Sequence, residues 1–470
     1  MDITKYLNTL GYDTVDKSFY SMVNVWRSWY RSNVARFHRY KVYTGNKHIT
    51  RQRIALGMAK KVSEDIADLL LNERVGITIS GDATDDYVKK ILKDNNWDTL
   101  GNEYQERKAA CGTVAYVPYI DSAEVDEDGN VVAGSGTVKI DYVTAPNIFP
   151  LSWANGVISE CAFVFPKKCK NKDYALVQIH TLESDEYVIY NHVVECTKGA
   201  GTEIDPTKWK DIKPFAALSP TVHTDSDKRQ YVIDKLNIVN NFDEDNPMGI
   251  AIFANAVDQL KGCDTTYDSY VNEFVLGKKR IFAGHDVMGE DIEGNPVFDP
   301  DDVCFYKLPA EMMETGKPII ESNMELRSEE HNKALNDHLN MLSMKCGFGT
   351  EHYKFDNGNI TTATQVISEN SDMYRTIKKH EIVLDSVIKE LIQIICRLGN
   401  VLGANVNEDP EITIDFDDSI IEDKGAERLS DRQDVSMGVM SHAEYRAKYY
   451  NETLEDATKN LPPQANVVME

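Results

Sequence analysis

Hydrophobic positions along this chain follow two rhythms. Some stretches repeat at three- and four-residue spacing and others come in short β-branched or alternating runs, so the sequence reads as an α+β fold. Over 18–32, Phe19, Met22, Val23, Trp26, Trp29 and Tyr30 predict a helix. Over 51–73, Ile54, Met58, Val62, Ile66 and Leu70 form one apolar stripe and predict an amphipathic helix. VGITIS (75–80) alternates like a strand, and 84–108 reads as helical. From 112 to about 200 the runs GTVAYVPYI, TVKIDYVTA, CAFVFP, YALVQIHTL and YVIYNHVV are separated by polar turns and predict a β-rich region. Residues 201–247 are loop-rich, with four prolines.

The second half is dominated by long helical patterns. Residues 248–275 read as one helix with Phe253, Val257, Leu260, Tyr267, Val271 and Phe274 on its stripe, roughly 42 Å long. A β- and turn-rich stretch (276–324) follows, then a helix over 326–345. Residues 346–361 form a loop carrying Gly347, Gly349 and Gly358, an Asn357-Gly358 turn pair, and two aromatics read as exposed, Tyr353 and Phe355. Thr362 and Gln365 have capping-box spacing at the start of a helix over 362–398, roughly 55 Å without Gly or Pro. One strand, EITIDFD, and a polar helical C-terminal region complete the chain.

At 470 residues the chain is too long for one core, and two to four domains are expected. Its formal net charge is −25, which argues against non-specific nucleic-acid binding. The charge is uneven. Residues 26–61 hold ten Lys or Arg and no acid, whereas 285–302 and 409–423 each hold seven acids and no Lys or Arg. The protein is therefore acidic overall with one basic segment. Eight scattered cysteines form no C-x-x-C pair and are expected as free thiols in a reducing compartment. No window approaches eighteen apolar residues, so no membrane span is expected, and the N-terminus lacks the pattern of a secretory signal.

Catalytic signatures are missing. There is no GxxxxGK[ST], GxGxxG or GxSxG, and CGFGTE follows a helix rather than a strand. Asp415, Asp417 and Asp418 in ITIDFDDSIIED are the best metal candidates, as in a two-metal nuclease. The same residues read more simply as a solvated strand edge leading into a helix start. The acidic 285–302 stretch lacks the ligand spacing of a Ca²⁺ loop. His331 and His338 read as ordinary surface positions. No metal, cofactor or catalytic residue is expected.

The order of elements resembles that of phage portal proteins: helix, β-turn region, helix, glycine-containing loop, very long helix. NPMGIAIFANAVDQLKGCDTTYDSYVNEFVLGKKRIF (246–282) looks like that family's first stem helix and entry to its clip, and FDNGNITTATQVISENSDMYRTIKKHEIVLDSVIKELI (355–392) resembles the segment after its tunnel loop. WRSWYR, RIALGMAKKVSEDIADLLLNE (53–73) and ITIDFDDSIIEDKGAE (412–427) are similar to portals of long-tailed phages of Gram-positive hosts. The resemblance implies a wing over 1–247, stem helices over 248–275 and 326–345, and a clip over 276–325. It further implies a tunnel loop over 346–361, a long wing helix over 362–400 and a crown over 401–470.

It also implies a non-enzymatic dodecameric ring at one capsid vertex of the virion, assembled in the host cytoplasm with major capsid and scaffolding proteins. Double-stranded DNA would pass through it, driven in by a terminase and later released by ejection. The ring would also seat head-completion or adaptor proteins and the tail. Gly347, Gly349, His352, Tyr353, Lys354, Phe355, Asn357 and Gly358 are the expected DNA-facing residues. Gly347 and Gly349 are expected to be the compliant side of that loop. Asp299, Asp301 and Asp302 are the expected partner-binding residues of the clip. The competing readings are a metal-dependent nuclease using Asp415, Asp417 and Asp418, and another phage tail structural protein.

Overall fold

A computed structural model describes residues 2–43, 45, 47–72, 75–124, 131–196, 201–277, 280–284, 289–290, 296–297, 305–308, 319–322, 325–350, 352–353, 363–416, 424–450 and 453–461. The chain divides into two bodies, one of Met1–Glu73 with Ile77–Ile414 and a small one of Arg74–Gly76 with Asp415–Glu470.

In the first body, α1 (Ile3–Thr9) precedes α2 (Lys17–Tyr30), whose first turn is capped by Asp16 accepting from the Ser18 N–H. Phe19, Tyr20, Val23, Trp26 and Trp29 are buried, as the three- and four-residue spacing predicts. An antiparallel ribbon follows, β1 (Arg39–Tyr43) with β2 (His48–Gln52). The expected helix over 51–73 is therefore shorter: α3 runs Met58–Leu70, and Ile54 is exposed. Gly57 at the N-cap takes φ +79°, which a glycine adopts without strain, and this lets the chain turn from ribbon into helix. β3 (Gly76–Ile79) leads into α4 (Asp82–Asp94) and α5 (Trp97–Cys111), two helices where one was expected. Asn96 at φ +53° breaks them apart. The Asn95 side chain donates to the carbonyls of Ile91 and Val138 and accepts the Ile140 N–H.

The β-rich region holds β4 (Thr113–Asp121), β5 (Thr137–Thr144), β6 (Ile148–Ala154), β7 (Val157–Cys169), β8 (Lys172–Glu183), β9 (Glu186–Glu195), β10 (Thr202–Glu203), β11 (Thr221–His223) and β12 (Val232–Lys235). β6 to β10 form an antiparallel meander with β11 also on β9, while β12, β4 and β5 make a second sheet. Three meander turns are two-residue links with both φ angles positive: Asn155-Gly156, Lys170-Asn171 and Ser184-Asp185. That is the turn whose twist matches the flanking strands, so it fixes their register. Beneath β4, the fully buried Lys108 pairs with Asp234 at 2.9 Å, and Gln105 donates to the other carboxylate oxygen at 2.8 Å.

The expected helix over 248–275 starts late. Residues 246–254 are buried without being α-helical, and α6 runs Val257–Leu276. The apolar run Met248–Ala254 is buried because it packs against the α5–β4 junction, where the Ile252 N–H donates to the Ala109 carbonyl. β13 (Arg280–Gly284), β14 (Gly289–Glu290), β15 (Pro296–Val297), β16 (Phe305–Leu308) and β17 (Ile319–Ser322) follow, in a three-stranded sheet ordered β16-β13-β17 and a β14–β15 pair. α7 (Ser328–Cys346) and α8 (Ala363–Val401) match the expected helices closely. β18 (Ile412–Asp415) pairs with β3.

The small body holds α9 (Lys424–Met437), α10 (His442–Tyr450) and α11 (Leu454–Lys459). Arg428 and Arg432 both donate to the Tyr445 hydroxyl, and Asp431 accepts from Lys448 and Tyr449.

Candidate functional site

The loop between α7 and α8 is fixed at its first turn. The Gly347 N–H donates to the Met344 carbonyl at 3.2 Å and the Phe348 N–H to the Ser343 carbonyl at 3.0 Å, the paired bonds of a Schellman cap. Gly347 has φ +87°, and a Cβ there would lie 2.7 Å from both Cγ2 and Oγ1 of Thr376 on α8. Gly349 also has positive φ, +81°. Gly347 thus forms a tight cap pressed against the next helix, where only a glycine satisfies both the left-handed conformation and the close approach.

The next residues fold back on the body. Phe348 is buried, the His352 ring stacks on it at 4.7 Å, and the Tyr353 ring meets both edge-on. Tyr353 donates to Asp65 Oδ2 at 2.7 Å, and Lys61 pairs with Asp65 Oδ1 at 2.6 Å. His352 Nε2 lies 3.9 Å from Asp65 Oδ2. Burial pushes the Asp65 carboxyl up, but bonds from His352, Lys61 and Tyr353 outweigh it and hold the group below the ordinary carboxylate value. Burial and then the Asp65 charge push the Tyr353 hydroxyl far up. Tyr353, read from sequence as exposed, is therefore half-buried and anchored to α3. Lys354, Phe355, Asn357 and Gly358 lie outside the described residues, as do Asp299, Asp301 and Asp302.

α6 and α7 lie side by side. Gly262 admits the His338 ring, whose Nδ1 would be 2.6 Å from a Cβ at that position. The His331 ring lies 2.7 Å from the Arg327 carbonyl through Nδ1 and 3.2 Å from the Ser269 hydroxyl through Nε2. Arg327 makes a two-pronged contact with Glu273 at 3.0 and 2.9 Å, which lowers the Glu273 carboxyl to about 2. Both histidines, read as ordinary surface positions, are half-buried contacts between these helices.

Two acids inside the α6 stripe escaped the sequence reading. Asp264 Oδ2 lies 3.0 Å from His38 Nε2, and its Oδ1 accepts the Leu56 N–H at 2.8 Å. Asp268 accepts the Ile54 N–H at 3.0 Å. All three side chains are buried. Two acids four residues apart amid Leu260, Cys263, Tyr267 and Val271 were the available signal, since a charge in an apolar stripe needs a partner.

Asp415 is exposed at the end of β18, and Asp417 and Asp418 lie outside the described residues. Among the described residues no group of three His, Cys, Asp or Glu side chains could hold a metal, no helix is long and apolar enough to cross a membrane, and the cysteines are unpaired.

A family model described as "Phage portal protein, SPP1 Gp6-like" matches residues 12–457 of the 470. A search of curated proteins finds no match.

Proposed function

Because this chain belongs to the SPP1 Gp6-like family of phage portal proteins, we propose that its copies close into a ring, twelve in the capsid, at one vertex. In this reading the ring is the conduit for double-stranded DNA during packaging and ejection and the seat for head-completion proteins. The observation that carries this is the family match over nearly the whole chain. The α6–α7 pair supports it physically. Phe274, Val275, Met341 and Met344 are exposed on those helices, apolar surface that a neighbouring copy would cover. A ring needs heterologous contacts, in which two different surfaces of each copy meet.

Residues 276–325 are proposed as the narrow end that meets the terminase and later an adaptor, with Asp299, Asp301 and Asp302 on its rim. The loop after Tyr353, including Lys354 and Phe355, is proposed to face the bore. Its base is held by Gly347 and Tyr353, so any adjustment to passing DNA falls on residues 354–361. The net charge of −25 suits a conduit, since a negative wall holds phosphate weakly.

Negative-stain imaging with mass photometry of the purified full chain tests the reading. Rings with a central hole are expected. Monomers at every salt and protein concentration would overturn it.

A further inference from the structure

Among the described residues, no other element covers one face of the β1–β2 ribbon. The register Arg39↔Gln52, Lys41↔Thr50 and Tyr43↔His48 puts six residues on that face, and all six are exposed. The Tyr43 ring lies 5.2 Å from the His48 ring with the tyrosine still 63% exposed. The opposite face is half-buried at Tyr40, Val42 and Ile49, with the Arg53 guanidinium 4.1 Å from the Phe37 ring centre and 5.0 Å from that of Tyr40.

A two-stranded ribbon is marginal on its own in water. Here its base is fixed. The Arg53 N–H donates to the His38 carbonyl at 2.7 Å, and His38, Ile54 and Leu56 are held by Asp264 and Asp268 of α6. Two buried carboxylates thus hold an exposed basic face in one orientation.

We propose that this face, centred on Arg39 and Lys41, docks on an acidic surface of a second copy of this chain. The inference rests on the ring reading above and names one of the two surfaces that meet in each contact. The physical need is electrostatic. The +10 of residues 26–61 set against the whole-chain −25 leaves −35 on all other residues. Copies packed side by side repel one another unless a basic surface meets an acidic one. A heterologous contact permits that pairing, because the two patches differ, whereas a two-fold contact centred on the ribbon would set basic against basic.

The test uses the full chain and its Arg39→Glu/Lys41→Glu variant, compared by mass photometry, with melting curves to confirm folding. The unsubstituted rings are expected to dissociate progressively between about 50 mM and about 500 mM salt, because an exposed charge contact is screened over that range. The variant is expected to melt like the unsubstituted chain while its ring fraction falls about tenfold or more. The neutral Arg39→Gln/Lys41→Gln variant should fall between them. It also serves as the second variant if the charge reversal fails to fold. Rings from either folded variant in unchanged amount, or unsubstituted rings indifferent to salt, would overturn the proposal and leave the ring reading standing. Intact variant rings with weakened binding of a short double-stranded DNA probe would assign the face to DNA and also overturn it. Monomers alone from the unsubstituted chain would overturn both readings.

Discussion

Tyr353 donates its hydroxyl to Asp65 Oδ2 at 2.7 Å, joining the loop after α7 to α3 across 288 positions of sequence. Tyr353→Phe keeps the ring and removes the bond, so a loss of about 1 kcal/mol near neutral pH is expected from urea unfolding. The same bond helps hold the Asp65 carboxyl below its ordinary value of 3.8. A carboxyl depressed in the folded state contributes stability above its unfolded value, and that contribution is lost as pH falls through the folded value. The variant should therefore lose less stability than the unsubstituted chain on acidification below about pH 4. Equal stability and an equal acid limb in the two chains would show that Tyr353 does not anchor this loop.

Gly112 and Gly249 touch backbone to backbone. A Cβ on Gly112 would lie 2.3 Å from the Gly249 carbonyl oxygen, and one on Gly249 would lie 2.4 Å from that of Gly112. Gly11 has the same φ of +90° as Gly112 but nothing within 4 Å of its would-be Cβ. Gly11→Ala should thus cost only left-handed strain, about 1 kcal/mol. Gly112→Ala adds a backbone collision and should cost about 3 kcal/mol or more. Thermal melts of the two variants make the comparison. Similar losses would mean that the segment before α6 does not pack as described.

That contact also explains what the sequence could and could not disclose. Local patterns were legible. The α2 stripe, the β-rich runs and the extent of α7 and α8 follow from spacing alone, because each depends on residues within a few turns of one another. The late start of α6 was not legible. Met248–Ala254 is apolar on every side because it is buried against α5 and β4, and residues distant in sequence supply that surface. At the candidate site, Gly347 after a helix ending in Lys345-Cys346 had the signature of a C-cap, yet its pressure on Thr376 and the burial of Tyr353 depend on α8 and α3.

His180 and His380 are both buried, and burial lowers each to about 3; for His380 the charges of Lys108 and Lys379 add to the effect. His380 Nδ1 accepts the Asn237 N–H at 3.1 Å, a role open only to a ring nitrogen without a proton. Between about pH 3 and about pH 6.5 the unfolded chain binds protons that the folded chain does not. Stability should therefore fall with decreasing pH in that window, with each histidine contributing a slope of about 1.4 kcal/mol per pH unit. His380→Asn supplies an acceptor that does not titrate and should remove one histidine's share. Urea unfolding at several pH values across the window gives the slope, and an unchanged slope would contradict a neutral buried His380.

Gly347 offers the sharpest check on how the α7–α8 loop is held. Two costs meet there, a left-handed φ of +87° and a Cβ position 2.7 Å from Thr376 Oγ1 and Cγ2. Gly347→Ala should destabilise by about 2–4 kcal/mol, the sum of backbone strain and overpacking. Thr376→Ala removes the colliding atoms but leaves the φ strain, so the double variant should recover the steric part alone. A coupling of about 1 kcal/mol or more between the two substitutions is expected in a double-mutant cycle, because the residues are in contact. Additive losses would mean that the cap does not press on α8, and residues 347–349 would then regain the compliance that their glycines first suggested. If the coupling is found, compliance of this loop in an assembled ring must come from residues beyond Tyr353. A Gly347→Ala/Thr376→Ala protein that still forms rings would then be the right background for substitutions at Lys354 and Phe355.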